Sequence, residues 1–161
     1  MIDKKIVREW VRKLGLSVEE CDRLEQTSQK RSESIFKIIL EEKILPEEDI
    51  MDFLSAQLEI PTLNLHGMQF DREVLGMLPR KFIEQHQIFP VGRIGKLVTI
   101  AVSDPFQLRV FDDIKHLTGC DVNLVLVTPA RIIAAVSDYY AESKKNKVFT
   151  NKLDGGKRSK A

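Results

Sequence analysis

"IFPVGRIGKLVTIAVSDPFQLRVFDDIKHLTGCDVNLVLVT", residues 88–128, changes period twice, and those changes decide the fold. Its first sixteen residues predict a β-hairpin turning through Gly92 to Lys96. Pro90 cannot donate to a ladder and belongs on an edge or at a strand end. Asp104-Pro105 then follows the second strand, which makes Asp104 a natural N-cap with proline at the first helical position. That helix presents Phe106, Val110, Phe111, Ile114 and Leu117 inward and stops at Gly119, and "DVNLVLVT" returns as a strand.

Asp104, Asp112 and Asp113 invite a catalytic reading, which helical geometry opposes. Successive helical residues are about 100° apart, so Asp112 and Asp113 cannot face each other as an acid–base pair. Asp112 and His116 do share a face, but one carboxylate and one imidazole leave a metal under-ligated. Asp104 is therefore read as a structural helix cap.

Upstream, Ile6, Val7, Trp10, Val11 and Leu14 recur at helical spacing, with Gly15 as the stop. Ser17 and Glu20 form a capping-box pattern that opens a second helix to about Ser28. A third helix is expected from about Ser32 to Glu42. A fourth has Pro46 at its first position and Glu47, Glu48 and Asp49 beside the positive end of its dipole. "IPTLNL" (60–65) predicts a short strand, and "FDREVLGMLPRKFIEQH" two short helices broken at Pro79. The last helix begins at Pro129 under a Thr128 cap and buries Ile132, Ile133, Ala135, Val136 and one of Tyr139 and Tyr140. The expected class is α+β: helices first, then β-α-α-β-β-α-β-α, with helices packed on one small sheet. Residues 1–59 read as a helical subdomain, 60–142 as an α+β subdomain, and 143–161 as a basic tail or linker.

Of 161 residues, 43% are hydrophobic and 30% charged, as in ordinary globular proteins. No apolar run approaches the ~18–20 residues needed to cross a bilayer, and the first residues lack a signal-peptide core, so a cytoplasmic protein is expected. The net charge of +1 is uneven. Residues 143–161 carry seven basic residues and one acid, leaving 18 basic and 23 acidic residues, or −5, on the rest. A body of that sign is a poor match for nucleic acid, and the tail reads as a solvated linker. Cys21 and Cys120 lack CxxC spacing and read as buried free thiols.

No enzyme is expected. "GGKRS" (155–159) resembles a phosphate-binding loop, but Asn151 stands where its first glycine belongs and Arg158 where Ser or Thr must follow the lysine. His66, His86 and His116 fall on separate elements. No catalytic, metal or cofactor site is assigned.

The ordered series Leu78-Pro79, Pro90, Asp104-Pro105, Asp112-Asp113, Thr118-Gly119 and Tyr139-Tyr140 resembles the N-terminal domain of the type II secretion and type IV pilus assembly ATPases. The resemblance covers about residues 30–140 and, more loosely, 1–30. It implies a non-catalytic module that attaches the hexameric motor to the cytoplasmic domain of an inner-membrane platform protein. Trp10, Val11 and Leu14 are then the candidate docking residues, with Trp10 as an aromatic anchor. The basic tail would suit a linker toward a motor.

Some relatives bind cyclic di-GMP through two helical repeats, each beginning Arg-Leu-Gly and ending in Gln. Gln29 and Gln57 fill the closing positions here. Ser34, however, replaces the second arginine, and Phe36 and Lys43 replace that repeat's glycines. Guanidinium groups stack on bases and pair with phosphate, while glycines admit close backbone approach. The resemblance thus implies a retained helical scaffold that has lost most of its nucleotide chemistry.

Overall fold

The computed structural model describes residues 4–141; the expected tail at 143–161 lies outside them. Four helices come first: α1 (Lys4–Lys13), α2 (Val18–Arg31), α3 (Ile35–Glu41) and α4 (Glu47–Leu58). Gly15, at φ +95°, ends the first, and the Leu16 N–H donates back to the Val11 carbonyl at 3.4 Å. The Ser17 capping box forms on both sides: Glu20 N–H donates to the Ser17 hydroxyl at 3.2 Å, and Ser17 N–H to the Glu20 carboxylate at 3.0 Å. Ser17→Ala is expected to lower stability by about 0.5–2 kcal/mol in urea unfolding. A loss below this range would mean that solvent satisfies the Glu20 N–H equally well.

Two starts among these four helices differ from expectation. Ser32 adopts a left-handed conformation that closes α2, so α3 begins only at Ile35 under a Ser34 cap. Pro46 keeps an extended ψ of 137° and sits at the N-cap, its carbonyl accepting from Ile50 N–H.

Next come α5 (Arg72–Leu75) and α6 (Arg80–His86), then β1 (Ile88–Ile94) and β2 (Leu97–Val102) as an antiparallel hairpin. The turn is shorter than predicted, Gly95-Lys96 alone, with Gly95 at the positive φ that two-residue hairpins favour. Pro90 lies on edge strand β1, and a register shift between Pro90 and Gly92 absorbs its missing donor. Helix α7 (Leu108–Thr118) crosses over to β3 (Asp121–Leu126), which runs parallel to β2. A final helix, α8 (129–141), starts under Thr128, whose carbonyl accepts from Arg131 and Ile132 N–H. Arg80 lies 4.3 Å over the Tyr140 ring, joining α8 to α6.

The segment 60–65 is not a full strand. It makes one parallel bridge, Thr62 to Leu126, with Leu63 N–H donating to Leu126 and Leu126 N–H to Pro61. Asn64 then turns inward on its own chain, accepting from His66 N–H at 3.0 Å. Two residues predicted to be buried face solvent instead: Leu117 is 52% exposed and Ile133 54%. Both sit at the margin of an apolar helical arc, where the neighbouring element's position decides burial.

One hydrophobic cluster runs through both parts of the chain, joining Val11, Leu24, Phe36 and Ile50 to Ile88, Ile100, Ile114 and Ile132. Cys21 and Cys120 are buried free thiols within it, and burial pushes the Cys21 thiol above its usual range.

Candidate functional site

The junction between α1–α3 and the β2–α7 loop carries an unusual feature, a buried carboxylate. Asp104 is 5% exposed and bridges the two parts of the chain. One oxygen accepts from the Ser34 hydroxyl at 2.9 Å and the other from Phe106 N–H at 3.0 Å. The Ser34 oxygen also accepts from Lys37 N–H at 3.1 Å, so one hydroxyl caps α3 and holds a residue seventy positions away. Burial pushes Asp104 above the usual carboxylate range, against the opposing pull of Phe106 N–H, the Ser34 hydroxyl, the Lys37 charge and Gln107.

This corrects the cap assignment. Asp104 closes the turn at Pro105-Phe106, whereas α7 starts at Leu108 with Gln107 before it and no side-chain cap. Phe106 leaves the helix altogether, and its ring stacks on Phe36 at 5.4 Å.

Beside this clasp lies a cavity of about 750 Å³, walled by α1–α3 on one side and residues 105–109 on the other. Phe36, Leu58 and Phe106 make much of it apolar, and Gln29, Ser34 and Arg109 bring polar groups to its wall. Such a volume falls within the range of small-ligand sites. Of the two repeat-closing glutamines, Gln29 is in the wall; Gln57 is exposed, and only its neighbour Leu58 reaches the cavity.

The candidate docking residues turn the other way. Val11 is 1% exposed and belongs to the core, while Trp10 and Leu14 are half-buried against it. The Trp10 ring lies 6.3 Å from Phe36 and 6.2 Å from Phe53. Buried Val11 belongs to the core and is corrected as a docking candidate, while Trp10 and Leu14 are half-buried beside it. Ile6 on α1 is 42% exposed, but the most exposed large apolar residue among the described ones is Ile94, 85% exposed, which pairs with Leu97 at the hairpin tip.

Asp112, Asp113 and His116 are exposed on α7. Among the described residues, no three His, Cys, Asp or Glu side chains come together to hold a metal, and no helix is long and apolar enough to cross a membrane. The Ser34–Asp104 clasp was missed in the sequence. Ser34 one residue before an apolar helix was a legible capping signal, but nothing local pointed to Asp104 as its partner.

A family model described as the MshEN domain matches residues 58–146. The chain is 30% identical over 132 residues to a type IV pilus assembly ATPase PilB from Myxococcus xanthus, covering 82% of this chain and 23% of that protein. It is 20% identical over 128 residues to PilB from Pseudomonas aeruginosa, covering 80% of this chain and 21% of the relative. The chain thus spans less than a quarter of these relatives. Among solved structures, the N-terminal domain of XpsE superposes with a TM-score of 0.68 at 18% identity, over 85% of this chain and 96% of that one. A structure of MshE with cdg gives 0.66 at 18% identity, over 83% and 98%. These likenesses show the shared α+β fold.

Proposed function

The chain belongs to the MshEN domain family, the N-terminal regulatory domain of type II secretion and type IV pilus assembly ATPases rather than their catalytic part, and from that premise we propose that it docks such an ATPase to the cytoplasmic domain of an inner-membrane platform protein. The observation that carries this reading is the 30% identity to a pilus assembly ATPase across 82% of the chain. On this reading the domain works at the cytoplasmic face of the inner membrane through its partner, without inserting. The Ile94–Leu97 hairpin tip supplies an exposed apolar contact, with Ile94 about twice as exposed as Ile6 on α1. Calorimetry against the cytoplasmic part of the platform protein from the same genome is expected to give a Kd at or below about 50 μM, in the range of transient docking contacts. Ile94→Asp should weaken it. No heat of binding at ten times that concentration would refute the docking role.

A second reading, cyclic di-GMP sensing, is favoured by one observation: three repeat positions, Gln29, Ser34 and Phe36, share the wall of the 750 Å³ cavity. The MshE neighbour was solved with cdg. Against it, Ser34 offers no guanidinium to stack on a base or pair with phosphate, and Gln57 lies outside the wall. Titration with cyclic di-GMP is therefore expected to give a Kd weaker than about 10 μM. A tighter value would make the sensor reading the better one.

A further inference from the structure

The three-stranded sheet has two edges, and the chain protects them unequally. On β1, Pro90 withholds a donor, a register shift follows it, Arg93 places a charge near the end, and α5 and α6 pack against the strand. Strand β3 carries none of these devices: it has no proline, lysine or arginine and pairs with β2 without a bulge. Among the described residues, its outer side is bridged only at Leu126, by segment 61–63. Asp121 N–H donates to the Lys96 carbonyl at 2.7 Å and Val127 N–H to Val102 at 2.9 Å, so the odd-numbered residues face β2. Leu126 instead exchanges both of its backbone groups with Pro61 and Leu63, so the even-numbered residues face outward. Val122 and Leu124 therefore aim N–H and C=O away from the sheet, and no described residue hydrogen-bonds to them.

An edge left open beside one that is guarded is a template for another strand. Its two faces differ: Asn123 Nδ2 donates to Thr99 Oγ1 at 3.3 Å on one, while Val122 and Leu124 are half-buried against the core on the other. We propose that the platform protein's cytoplasmic domain adds an extended strand of about five residues to β3, apolar beside Val122 and Leu124 and polar beside Asn123. This rests on the docking reading and specifies its contact. So short a strand buries far less than the roughly 800 Å² per partner of a stable interface, so an adjoining surface must contribute. The exposed hairpin tip supplies it, because Leu97 pairs with Asp121 at one end of the open edge. Antiparallel pairing of β3 with a second copy would set the two tips at opposite ends of the shared edge, which favours a different partner.

Residue-resolved amide hydrogen exchange of the 161-residue chain, alone and with the platform protein's cytoplasmic domain, tests this. In the free chain the Val122 and Leu124 amides should exchange at least about tenfold faster than those of Asn123 and Val125, and the partner should slow them at least about tenfold. Val122→Pro removes one outward donor without touching the β2 ladder and should weaken binding at least about tenfold. Val122→Thr keeps the N–H and should bind nearly as the native chain does. Retained protection of Asn123 and Val125 shows that the sheet survives each substitution; if Val122→Pro loses it, exchange in the native chain decides alone. The proposal is overturned if Val122 and Leu124 are already protected in the free chain, or become so as its own concentration rises, the mark of a second copy. A partner that binds but leaves both amides fast overturns the strand while the docking role stands. No binding refutes the docking role, and the strand with it.

Discussion

Phe36→Ala should lower the unfolding free energy by about 3–5 kcal/mol, a large share of a typical domain's roughly 5–15 kcal/mol. Phe36 is 1% exposed, and its ring contacts Trp10 on one side and Phe106 on the other. Removing it leaves a void where α1, α3 and the 104–107 turn converge. That void opens beside the 750 Å³ cavity, which limits how far the surroundings can collapse to fill it. Trp10 is the only tryptophan, so its fluorescence reports on this site alone. Under conditions where the variant is still folded, its emission should shift to the red as water reaches the indole. Urea unfolding followed by both fluorescence and far-ultraviolet dichroism provides the check. A loss below about 1.5 kcal/mol would show that the packing joining the helices to the sheet is looser than the structure indicates.

Asp104 should control how stability depends on pH. Burial raises its folded pKa above the ordinary carboxylate value near 4, so the folded state holds the proton more tightly than the unfolded chain does. The resulting contribution is complete below the unfolded value. It disappears as pH rises from there through the raised folded value. Asp104→Asn removes the titration while keeping an oxygen for Phe106 N–H and an amide that can donate to the Ser34 oxygen. Its stability should therefore be flatter over that interval, and its deficit relative to the native chain should shrink toward neutral pH. Asp104→Ala leaves the Ser34 hydroxyl and Phe106 N–H without their buried acceptor and should cost about 1–3 kcal/mol at neutral pH. Denaturation midpoints at a series of pH values decide the matter. Equal slopes for native and Asn chains would mean that Asp104 is hydrated in the folded state.

Features written within a few residues were legible in the sequence. The Ser17–Glu20 capping box, the stops at Gly15 and Gly119, the helix break at Pro79, the edge position of Pro90 and the hairpin–helix–strand order of 88–126 all form as read. The caps, stops and break depend on hydrogen bonds or backbone limits that reach one to four residues, so the local sequence contains both partners; the order of elements follows from the change of period along the chain. The junction site was only half visible. Gln29 was named and lies in the cavity wall, but Ser34 was noticed only as an arginine that was missing.

Tertiary packing decided the rest. A helical period marks an apolar arc without saying which edge meets a neighbour, so Val11 and Trp10 turned inward while Leu117 and Ile133 stayed in solvent. Residues 60–65 have strand composition, yet only Thr62 finds a ladder partner on β3. Asp104 looked like the cap of the helix that follows it. It became the acceptor of a hydroxyl seventy residues earlier because the packing of α3 against the β2–α7 loop excludes water from its carboxylate. The sequence by itself determined the helix boundaries closed by partners along the chain, such as Ser17–Glu20, Gly15 and Gly119, whereas the start of α7 shifted once Asp104 found its partner across the core. Which side chains meet across the core was left to the packing of whole elements, since burial depends on what lies opposite in space.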